Sequence, residues 1–380
     1  MKLLEYKAHE IYRKYDLRCM EGEVANSREE LVALDGKVSY PMVLKSQVQT
    51  GGRGKAGGIQ FAHNSSELAE KAEFLFNLSI KGLPVEKVFA AKRVEIVREM
   101  YLSITLDRKL KQAVMIFSPE GGVDINEIAE EHPDKVVKVY LPPNDALQDF
   151  TLQYLIDKSG LEAEFHADFR DVCRKLYRIF IDYNCLLAEI NPLVVDDTGH
   201  LLALDGKIDI DDNALFKFDD IRAFRDEITD NPLVLEARSF DFLYIPIQDA
   251  GSIAVISNGS GMIMSSIDLI SKHGMDVTCA LDLGGGATAD RIKEALRIVA
   301  SNIKVKTIFL NIFGGITRCD EIAKGIVGSI ESMSDIWLVV RLEGTNKEKG
   351  LEILDTVRDH VTHADGLNEG VAILEKRLVK

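Results

Sequence analysis

The sequence lacks the patterns of a disulfide-stabilised, zinc-binding or membrane-spanning protein. Its five cysteines are dispersed, with no CxxC pair: Cys19, Cys173, Cys185, Cys279 and Cys319. An odd, scattered set is typical of reduced core thiols rather than of a disulfide framework or a zinc site. No run approaches the ~18 apolar residues of a membrane span, and the N-terminal segment has no apolar signal core. We therefore expect a cytoplasmic-type compartment, although a removed organellar leader would leave no trace in this sequence.

Positive charge is also in short supply. The 46 Lys and Arg residues are outnumbered by 61 Asp and Glu, which gives a formal net charge of -15. A surface this negative does not attract nucleic-acid phosphates or an anionic membrane at ordinary ionic strength. We therefore expect neither nucleic acid nor membrane as the main partner, while local cationic clusters can still bind small anions.

The chain of 380 residues is longer than a single hydrophobic core usually grows, so two or three domains are expected. The first part mixes hairpins with amphipathic helices, as α+β regions do. From about Ser252, apolar strands alternate with glycine-rich turns and helices, which predicts parallel βαβ units in a doubly wound α/β domain. The acidic, proline-containing segment "EITDNPLVLEARSFDF" is the expected boundary. The predicted domains are therefore 1–235 and 236–380.

A glycine-rich stretch, "VLKSQVQTGGRGKAGGIQFA", stands between two apolar runs near the N-terminus. It is not a Walker A loop, because Ala56 stands where Ser or Thr belongs and Gln49 stands where the first glycine belongs. Its GxGxxG pattern is followed by strand-like sequence, whereas a dinucleotide fingerprint must open onto a helix. What remains is a glycine-rich flap between two antiparallel strands.

Such a flap could hold phosphates against its backbone, with Lys45, Arg53 and Lys55 supplying positive charge. The alternative is a mobile surface hairpin whose cations are merely solvated. Lys45 favours the first interpretation, since it lies inside the apolar run "PMVLKSQV". Burying an ammonium group is costly unless an anion meets it.

A second hairpin, "LLAEINPLVVDDTGHLLALDGKIDI", offers oxygen ligands. A three-residue loop with Gly199 in the left-handed position fixes its register. That register sets three pairs opposite each other: Asp196 and His200, Asn191 and Asp205, and Glu189 and Lys207. Asn191 and Asp205 would then face the same way, which suits Mg²⁺ bound to one or two protein oxygens and to phosphates. A solvated polar face is the alternative, and Pro192 predicts either an edge strand or a bulge.

The whole chain resembles the β-subunit of succinyl-CoA synthetase (succinate–CoA ligase), an ATP-grasp protein. The shared motifs run in order along the sequence: "LLEYKAHEIYRKY", "LKSQVQTGGRGKAGG", "SPEGGVDINEIAEE", "EINPLVV", "LDGKIDIDDNALF", "NGSG", "LDLGGGAT", "NIFGGITRCD" and "VVRLEGTN". The resemblance implies an N-terminal ATP-grasp fold with two lobes. It also implies a flavodoxin-like doubly wound parallel-sheet domain that contacts an α-subunit.

The resemblance also implies a ligase reaction of the tricarboxylic acid cycle. In that family ATP or GTP, with Mg²⁺, phosphorylates a histidine of the α-subunit, which carries most of the CoA site. The phosphoryl group moves to succinate, and the CoA thiol attacks the acyl phosphate. None of the eight histidines of this chain lies in a glycine-rich phosphorylation loop. A partner must therefore bring the relay nucleophile.

Matching the family motifs residue by residue assigns each candidate a role. The implied nucleotide contacts are Lys45, Arg53, Gly54, Lys55 and Glu99. The implied Mg²⁺ ligands are Asn191 and Asp205, and the implied catalytic residue, which approaches the phosphohistidine loop, is Glu189. The implied contacts for the carboxylate substrate and phosphate are Asn258, Gly315, Ile316 and Thr317. For the last three a physical reason is visible, because glycines that end a strand and open a helix leave N–H groups aimed at an anion. Such glycines also shorten βα turns that bind nothing.

Two departures from the family pattern keep alternatives open. Ala91 replaces an acidic residue, so the choice between ATP and GTP depends on pocket shape around Met20 and Ala91. The segment "IQDAGSI" is about two residues longer than its counterpart in the family pattern, near the expected α-contact and substrate region. The chain could therefore belong to a malate–CoA or citrate–CoA ligase, or be a non-catalytic nucleotide- or CoA-responsive regulatory subunit. Assembly as αβ or α2β2 is equally open.

Overall fold

The structure is a computed structural model that describes residues 1–123, 125–142, 147–229, 231–247, 250–333 and 335–378. It divides into two compact units, Met1–Arg222 and Ala223–Lys380. No helix in these ranges is both long and apolar enough to cross a bilayer.

The first unit contains six helices and twelve strands within its described residues. The helices are α1 (Glu5–Lys14), α2 (Arg28–Val32), α3 (Ser65–Phe76), α4 (Ile125–Glu131), α5 (Asp149–Ser159) and α6 (His166–Asp182). The strands are β1 (Gly22–Ala25), β2 (Met42–Ser46), β3 (Ile59–Ala62), β4 (Ser79–Ile80), β5 (Leu83–Pro84), β6 (Val88–Lys92), β7 (Ile96–Asp107), β8 (Gln112–Ser118), β9 (Val137–Leu141), β10 (Cys185–Asp196), β11 (Leu201–Ala203) and β12 (Gly206–Ile210). Short 3₁₀-helices lie at Pro133–Lys135, Ala163–Phe165 and Asp212–Lys217.

Two larger antiparallel sheets organise this unit, as the α+β pattern predicted, and β4 and β5 form a separate two-stranded sheet. The first has the order β1-β6-β2-β3, and the second has the order β11-β10-β7-β8-β9 with β12 also pairing to β10. Alternation along β2 divides its side chains between two faces. Met42 and Leu44 enter a core that also takes Leu68 of α3. Val43 lies on the opposite face with Phe89, and Lys45 shares that face.

The second unit carries a six-stranded sheet. Helix α7 (Asp219–Glu227) crosses the division, and the remaining helices are α8 (Pro232–Ser239), α9 (Ser260–Lys272), α10 (Ala289–Ala300), α11 (Cys319–Val327), α12 (Lys347–Leu354) and α13 (Leu367–Leu378). The strands are β13 (Leu243–Pro246), β14 (Ile253–Ser257), β15 (Val277–Asp282), β16 (Thr307–Gly314), β17 (Trp337–Gly344) and β18 (Val361–His363). Single 3₁₀ turns lie at Ile330–Met333 and Asp355–Val357.

The strand order of this sheet is β13-β15-β14-β16-β17-β18, with β13 antiparallel and the other five strands parallel. The five parallel strands therefore run in the flavodoxin-like order 2-1-3-4-5. Separate buried clusters cover the two faces, one including Ile256 and Leu310 and the other including Val255 and Phe309. The predicted doubly wound architecture is confirmed.

The chain divides into its two compact units after Arg222, earlier than the predicted boundary at 235. Helix α8 explains the difference, because Ala237 is fully buried in the core of the second unit, with Leu233 and Val234 packed against that core. Arg238 also forms a 2.7 Å ion pair with Asp226, which ties the end of α7 to α8. A boundary placed by composition alone does not register this packing.

The register predicted for the second hairpin is confirmed. Glu189 lies opposite Lys207, and the Asp196 N–H donates to the His200 carbonyl oxygen at 3.0 Å. Gly199 has a φ of +80°, as the left-handed position requires. Strand β10 is internal, since it pairs with β7 on one side and with β11 and β12 on the other. At Pro192 the structure therefore has the predicted bulge, as a register shift between Ile190 and Leu193 against β7, and the edge-strand alternative is wrong.

Candidate active site

Two cations from the glycine-rich region converge on one buried carboxylate. Lys45 Nζ and the Arg53 guanidinium each lie 2.7 Å from Glu5, whose side chain is 1% exposed. Arg53 also donates to Asp205 Oδ2 at 2.7 Å. Lys45 Nζ donates in addition to the Leu204 carbonyl oxygen at 2.9 Å. Alternating charges thus connect α1, β2, the glycine-rich segment and the β11–β12 connection.

Burial and the neighbouring charges shift the pKa values of three groups in this network, Glu5, Arg53 and Asp205. Burial alone raises the pKa of Glu5, but Lys45 and Arg53 outweigh burial and lower it from 4.5 to about 2. Burial lowers the pKa of Arg53, and the carboxylates of Asp205 and Glu5 more than offset this and raise it. Burial and the Glu5 carboxylate raise the pKa of Asp205, while Arg53 opposes them. The charge of both carboxylates therefore depends on the cations, since Lys45 and Arg53 lower the pKa of Glu5 and of Asp205.

Glu5 was not predicted from the sequence, and its position corrects the expectation that Lys45 needs a bound anion. Lys45 was expected to need a bound anion because it lies in an apolar strand, but its buried counter-charge comes from Glu5 of the same chain. Helix α1 places Glu5 on its buried face, three, four and seven residues before Ala8, His9 and Tyr12. An acidic residue on an otherwise buried helical stripe is the signal that could have identified it.

The glycine-rich segment is the predicted connection between two antiparallel strands, since β2 pairs with β3. Its backbone is tightly turned: the Gly58 N–H donates to the Arg53 carbonyl oxygen at 2.8 Å, and Gly52 and Gly57 have φ values of +84° and +79°. Gly54 lies within this turn. Lys55 differs from Arg53, because it is 88% exposed and lies 3.4 Å from Glu127 of α4. An exposed pair of this kind contributes only about 0–1 kcal/mol.

Asn191 and Asp205 lie opposite each other, with the Asn191 N–H donating to the Asp205 carbonyl oxygen at 3.3 Å. The Asn191 side chain is oriented by the backbone after β8: its Oδ1 accepts from the Gly122 N–H at 3.0 Å, and its Nδ2 donates to the Val123 carbonyl oxygen at 2.9 Å. The described residues contain no cluster of three or more His, Cys, Asp or Glu side chains that would hold a metal alone. One amide and one carboxylate oxygen match the donor set of Mg²⁺ shared with phosphates. That both side chains bind one ion stays a prediction.

Two glycines, Gly121 and Gly122, let the backbone after β8 come close to Glu99, an exposed residue of β7. A Cβ on Gly122, where φ is +79°, would lie 1.9 Å from Glu99 Oε2. A Cβ on Gly121 would lie 2.3 Å from the Met100 carbonyl oxygen. Only glycine allows this approach, which brings the Gly122 N–H to Asn191. The predicted nucleotide contact and the predicted metal ligand are therefore linked through one turn.

Glu189 lies two residues before Asn191 in β10 and is 19% exposed, with Lys207 Nζ 4.0 Å from its Oε1. The Tyr101 hydroxyl donates to Glu189 Oε2 at 2.9 Å. Neither the sequence pattern nor the family motifs indicated this tyrosine. The carboxylate is thus bound on one side and partly open on the other.

Ala91 and Met20, the two positions expected to shape the base pocket, are both buried. They share a small apolar cluster with Val43 and Phe89, on the face of the first sheet that also carries Lys45. Gln248 and Asp249 belong to "IQDAGSI", the second segment that departs from the family pattern, and they lie outside the described residues.

In the second unit, the predicted substrate residues lie at the carboxyl ends of the adjacent strands β14 and β16. The Asn258 amide forms two hydrogen bonds with the backbone of Phe313. Its Nδ2 donates to the carbonyl oxygen at 2.9 Å, and its Oδ1 accepts from the N–H at 3.0 Å. Thr317 is 2% exposed and accepts from the Gly286 N–H at 3.1 Å, whereas Ile316 is 90% exposed.

The turn formed by Gly315, Ile316 and Thr317 leads directly into α11. Within the residues that the structure describes, the Gly315 and Ile316 N–H groups donate no hydrogen bond. Free N–H groups beside a helix N-terminus attract anions. Asp320, in the first turn of α11, accepts from Asn346 Nδ2 at 3.0 Å, which ties this turn to the one after β17.

Known proteins share this organisation. Residues 2–195 match the family model for the ATP-grasp domain, and residues 256–367 match that for CoA-ligase. The succinate–CoA ligase [ADP-forming] subunit beta 2 of Archaeoglobus fulgidus is 41% identical over 355 residues, covering 93% of this chain and 92% of that protein. The chain belongs to the succinate–CoA ligase β-subunit family.

Other relatives extend the comparison. The β-subunit named as GDP-forming from Thermus thermophilus is 39% identical, with 93% of each chain covered. Among solved structures, ATP citrate lyase from Methanothrix soehngenii, in complex with citrate and coenzyme A, has a TM-score of 0.79 at 16% identity and covers 100% of this chain and 99% of its own. That likeness shows a shared fold alone. Membership of this ligase family confirms the resemblance and the fold class predicted from the motifs.

Proposed function

We propose that this chain is the nucleotide-binding β-subunit of a succinate–CoA ligase. It would transfer the γ-phosphoryl group of ATP or GTP to a histidine of a partner α-subunit, and so drive formation of succinyl-CoA from succinate and CoA. Its relatives are named as ADP-forming and as GDP-forming, so either nucleotide fits the family. The observation that carries the proposal is the buried network in which Glu5 holds Lys45 and Arg53 beside Asp205.

Phosphoryl transfer requires mainly positioning and neutralised charge. In this proposal Lys45 and Arg53 bind the phosphates. Glu5 already holds both cationic side chains in place, so little side-chain entropy is lost when the phosphates bind. Asn191 and Asp205 would hold Mg²⁺, which when bound neutralises charge on the phosphoryl oxygens. Glu99 would contact the nucleotide beside the turn at Gly122. Gly54 and Lys55 would contribute from the glycine-rich segment.

The later steps need groups from the partner. Glu189 would face the phosphorylated histidine loop of the α-subunit, which would also carry most of the CoA site. In the second unit, Asn258, Gly315, Ile316 and Thr317 would contact the carboxylate substrate or the phosphoryl group, with free N–H groups meeting the negative charge.

The test mixes this chain with a cognate α-subunit, Mg²⁺ and γ-labelled ATP or GTP. Label should appear on the α-subunit and should be discharged by succinate plus CoA. Discharge by malate or citrate but not by succinate would assign the chain to a sister ligase. No labelled α-subunit with either nucleotide would contradict the proposal and support a regulatory subunit.

A further inference from the structure

Two buried tyrosine hydroxyls meet at Glu189 from different elements. The Tyr101 hydroxyl of β7 donates to the carboxylate Oε2 at 2.9 Å, and the Tyr12 hydroxyl of α1 donates to the Glu189 carbonyl oxygen at 3.0 Å. Tyr101 is 2% exposed and Tyr12 is 0% exposed. Both the backbone and the side chain of Glu189 are therefore fixed by groups that solvent does not reach.

The sheet register explains why Tyr101 reaches the carboxylate. Glu189 lies directly opposite Ser103 across the β10–β7 pair. Tyr101 is two residues from Ser103, so it projects from the same face and stands diagonal to Glu189. Diagonal neighbours on one face are within reach of an aromatic side chain.

Ser103 completes the arrangement. Its Oγ lies 2.9 Å from the Tyr101 hydroxyl oxygen, and its side chain is buried. A phenol has one proton, and a carboxylate is the stronger acceptor. The Tyr101 proton therefore goes to Glu189, and the Ser103 hydroxyl is left to donate to the Tyr101 oxygen.

We propose that Tyr101 is a positioning residue that holds the Glu189 carboxylate in one orientation for phosphoryl transfer. The proposal rests on the role given to Glu189 in the proposed function. Lys207 is 4.0 Å from the other carboxylate oxygen and 55% exposed, so it restrains Glu189 much less than the buried phenol does. Without the phenol, the remaining rotatable bonds of Glu189 would sample several rotamers, and only some would present the carboxylate correctly.

The test compares Tyr101→Phe with a matched control, Tyr140→Phe. Tyr140 also donates its hydroxyl to a carboxylate, Asp107 Oδ2 at 3.1 Å, but this exposed pair joins β9, at the far edge of the same sheet, to the last residue of β7. We expect Y101F to slow single-turnover phosphoryl transfer to the α-subunit about 10- to 100-fold, as loss of a hydrogen bond to a charged group does. Nucleotide affinity should stay unchanged in Y101F, and Y140F should change neither quantity.

A double-mutant cycle separates positioning from a purely structural role. If Tyr101 acts through Glu189, Y101F should add no further slowing to the Glu189→Gln variant. Additive losses would overturn the proposal, as would a Y101F chain whose nucleotide affinity falls in parallel with its transfer rate. A labelled α-subunit formed at the normal rate by Y101F would also overturn it, while leaving the proposed function intact.

A measurement without turnover decides the same point. In the full chain carrying ¹³C-labelled glutamate, the signal missing from E189Q identifies the Glu189 carboxylate. Its relaxation should show greater side-chain mobility in Y101F and no change in Y140F. Unchanged mobility in Y101F refutes positioning by Tyr101. Absence of labelled α-subunit with the unmodified chain contradicts the proposed function, and the Glu189 signal still decides the positioning.

Discussion

Replacing Glu5 by Gln tests the buried charge network directly. The substitution preserves shape but removes the counter-charge of Lys45 and Arg53, each 2.7 Å from a carboxylate that is 1% exposed. Removing one partner of a buried ion pair costs about 3–5 kcal/mol, because the other charge is left buried and uncompensated. We therefore expect E5Q to lower the free energy of unfolding by ~3 kcal/mol at pH 7.

The lowered pKa of Glu5 points to a loss in the same direction and of the same order. At about 1.4 kcal/mol per pKa unit, its lowering from 4.5 to about 2 corresponds to ~3 kcal/mol of stabilisation. Because the folded pKa is the lower one, this contribution is fully present above about pH 5 and is lost as the pH falls toward 2. The difference between the original chain and E5Q should therefore narrow to ~1 kcal/mol at pH 3.

The assay is urea unfolding followed by far-ultraviolet circular dichroism, with amide hydrogen exchange in α1 to localise the effect. Trp337 is the single tryptophan and lies in the second unit, so its fluorescence serves as an internal reference. The matched control is Glu10→Gln on the same helix, which breaks a 2.9 Å pair with Lys7 that is far less buried than the pairs of Glu5. E10Q should cost less than about 1 kcal/mol. If E5Q were as stable as E10Q, the network would not stabilise the fold as argued.

Two further predictions concern local packing. Gly121→Ala should destabilise the chain and weaken nucleotide binding, because its Cβ would lie 2.3 Å from the Met100 carbonyl oxygen, whereas Gly366→Ala, whose Cβ meets no atom within 4 Å, should change the free energy of unfolding by less than about 1 kcal/mol; equal losses in urea unfolding would contradict the steric reasoning. The five free cysteines are all buried, and burial raises the pKa of Cys19 to about 11 and of Cys185 to about 12. A thiol-specific reagent should therefore react with none of the cysteines at pH 8 in the native chain and with all five in urea, and rapid labelling of the native chain would show that these sites open.

Features set by local rules could be predicted from the sequence. The register of the β10 hairpin follows from one turn with Gly199, and each later pair follows by counting. The parallel sheet follows from the repeated alternation of apolar strands and helices. The glycine-rich flap follows from its failure to match either helix-linked phosphate loop.

Features that depend on distant contacts could not be predicted in this way. Glu5 meets Lys45 across 40 residues of sequence, and Arg53 meets Asp205 across 152. No periodicity connects such positions, and the position of Lys45 in an apolar strand therefore predicted an external anion instead of Glu5. Tyr101 and Glu189 are 88 residues apart, and their contact depends on the register between β7 and β10. These strands are not joined by a hairpin, so counting back from a turn cannot predict that register.

We propose that Asn191 and Asp205 bind a divalent ion together with the nucleotide. The most direct measurement is Mn²⁺ binding followed by electron paramagnetic resonance in the presence of ADP or GDP. Asp205→Asn should weaken Mn²⁺ affinity at least about tenfold, since even outer-shell partners contribute this much. Asp197→Asn, in the exposed turn of the same hairpin, should leave it unchanged. Equal Mn²⁺ affinity in the original chain and in D205N would contradict the account.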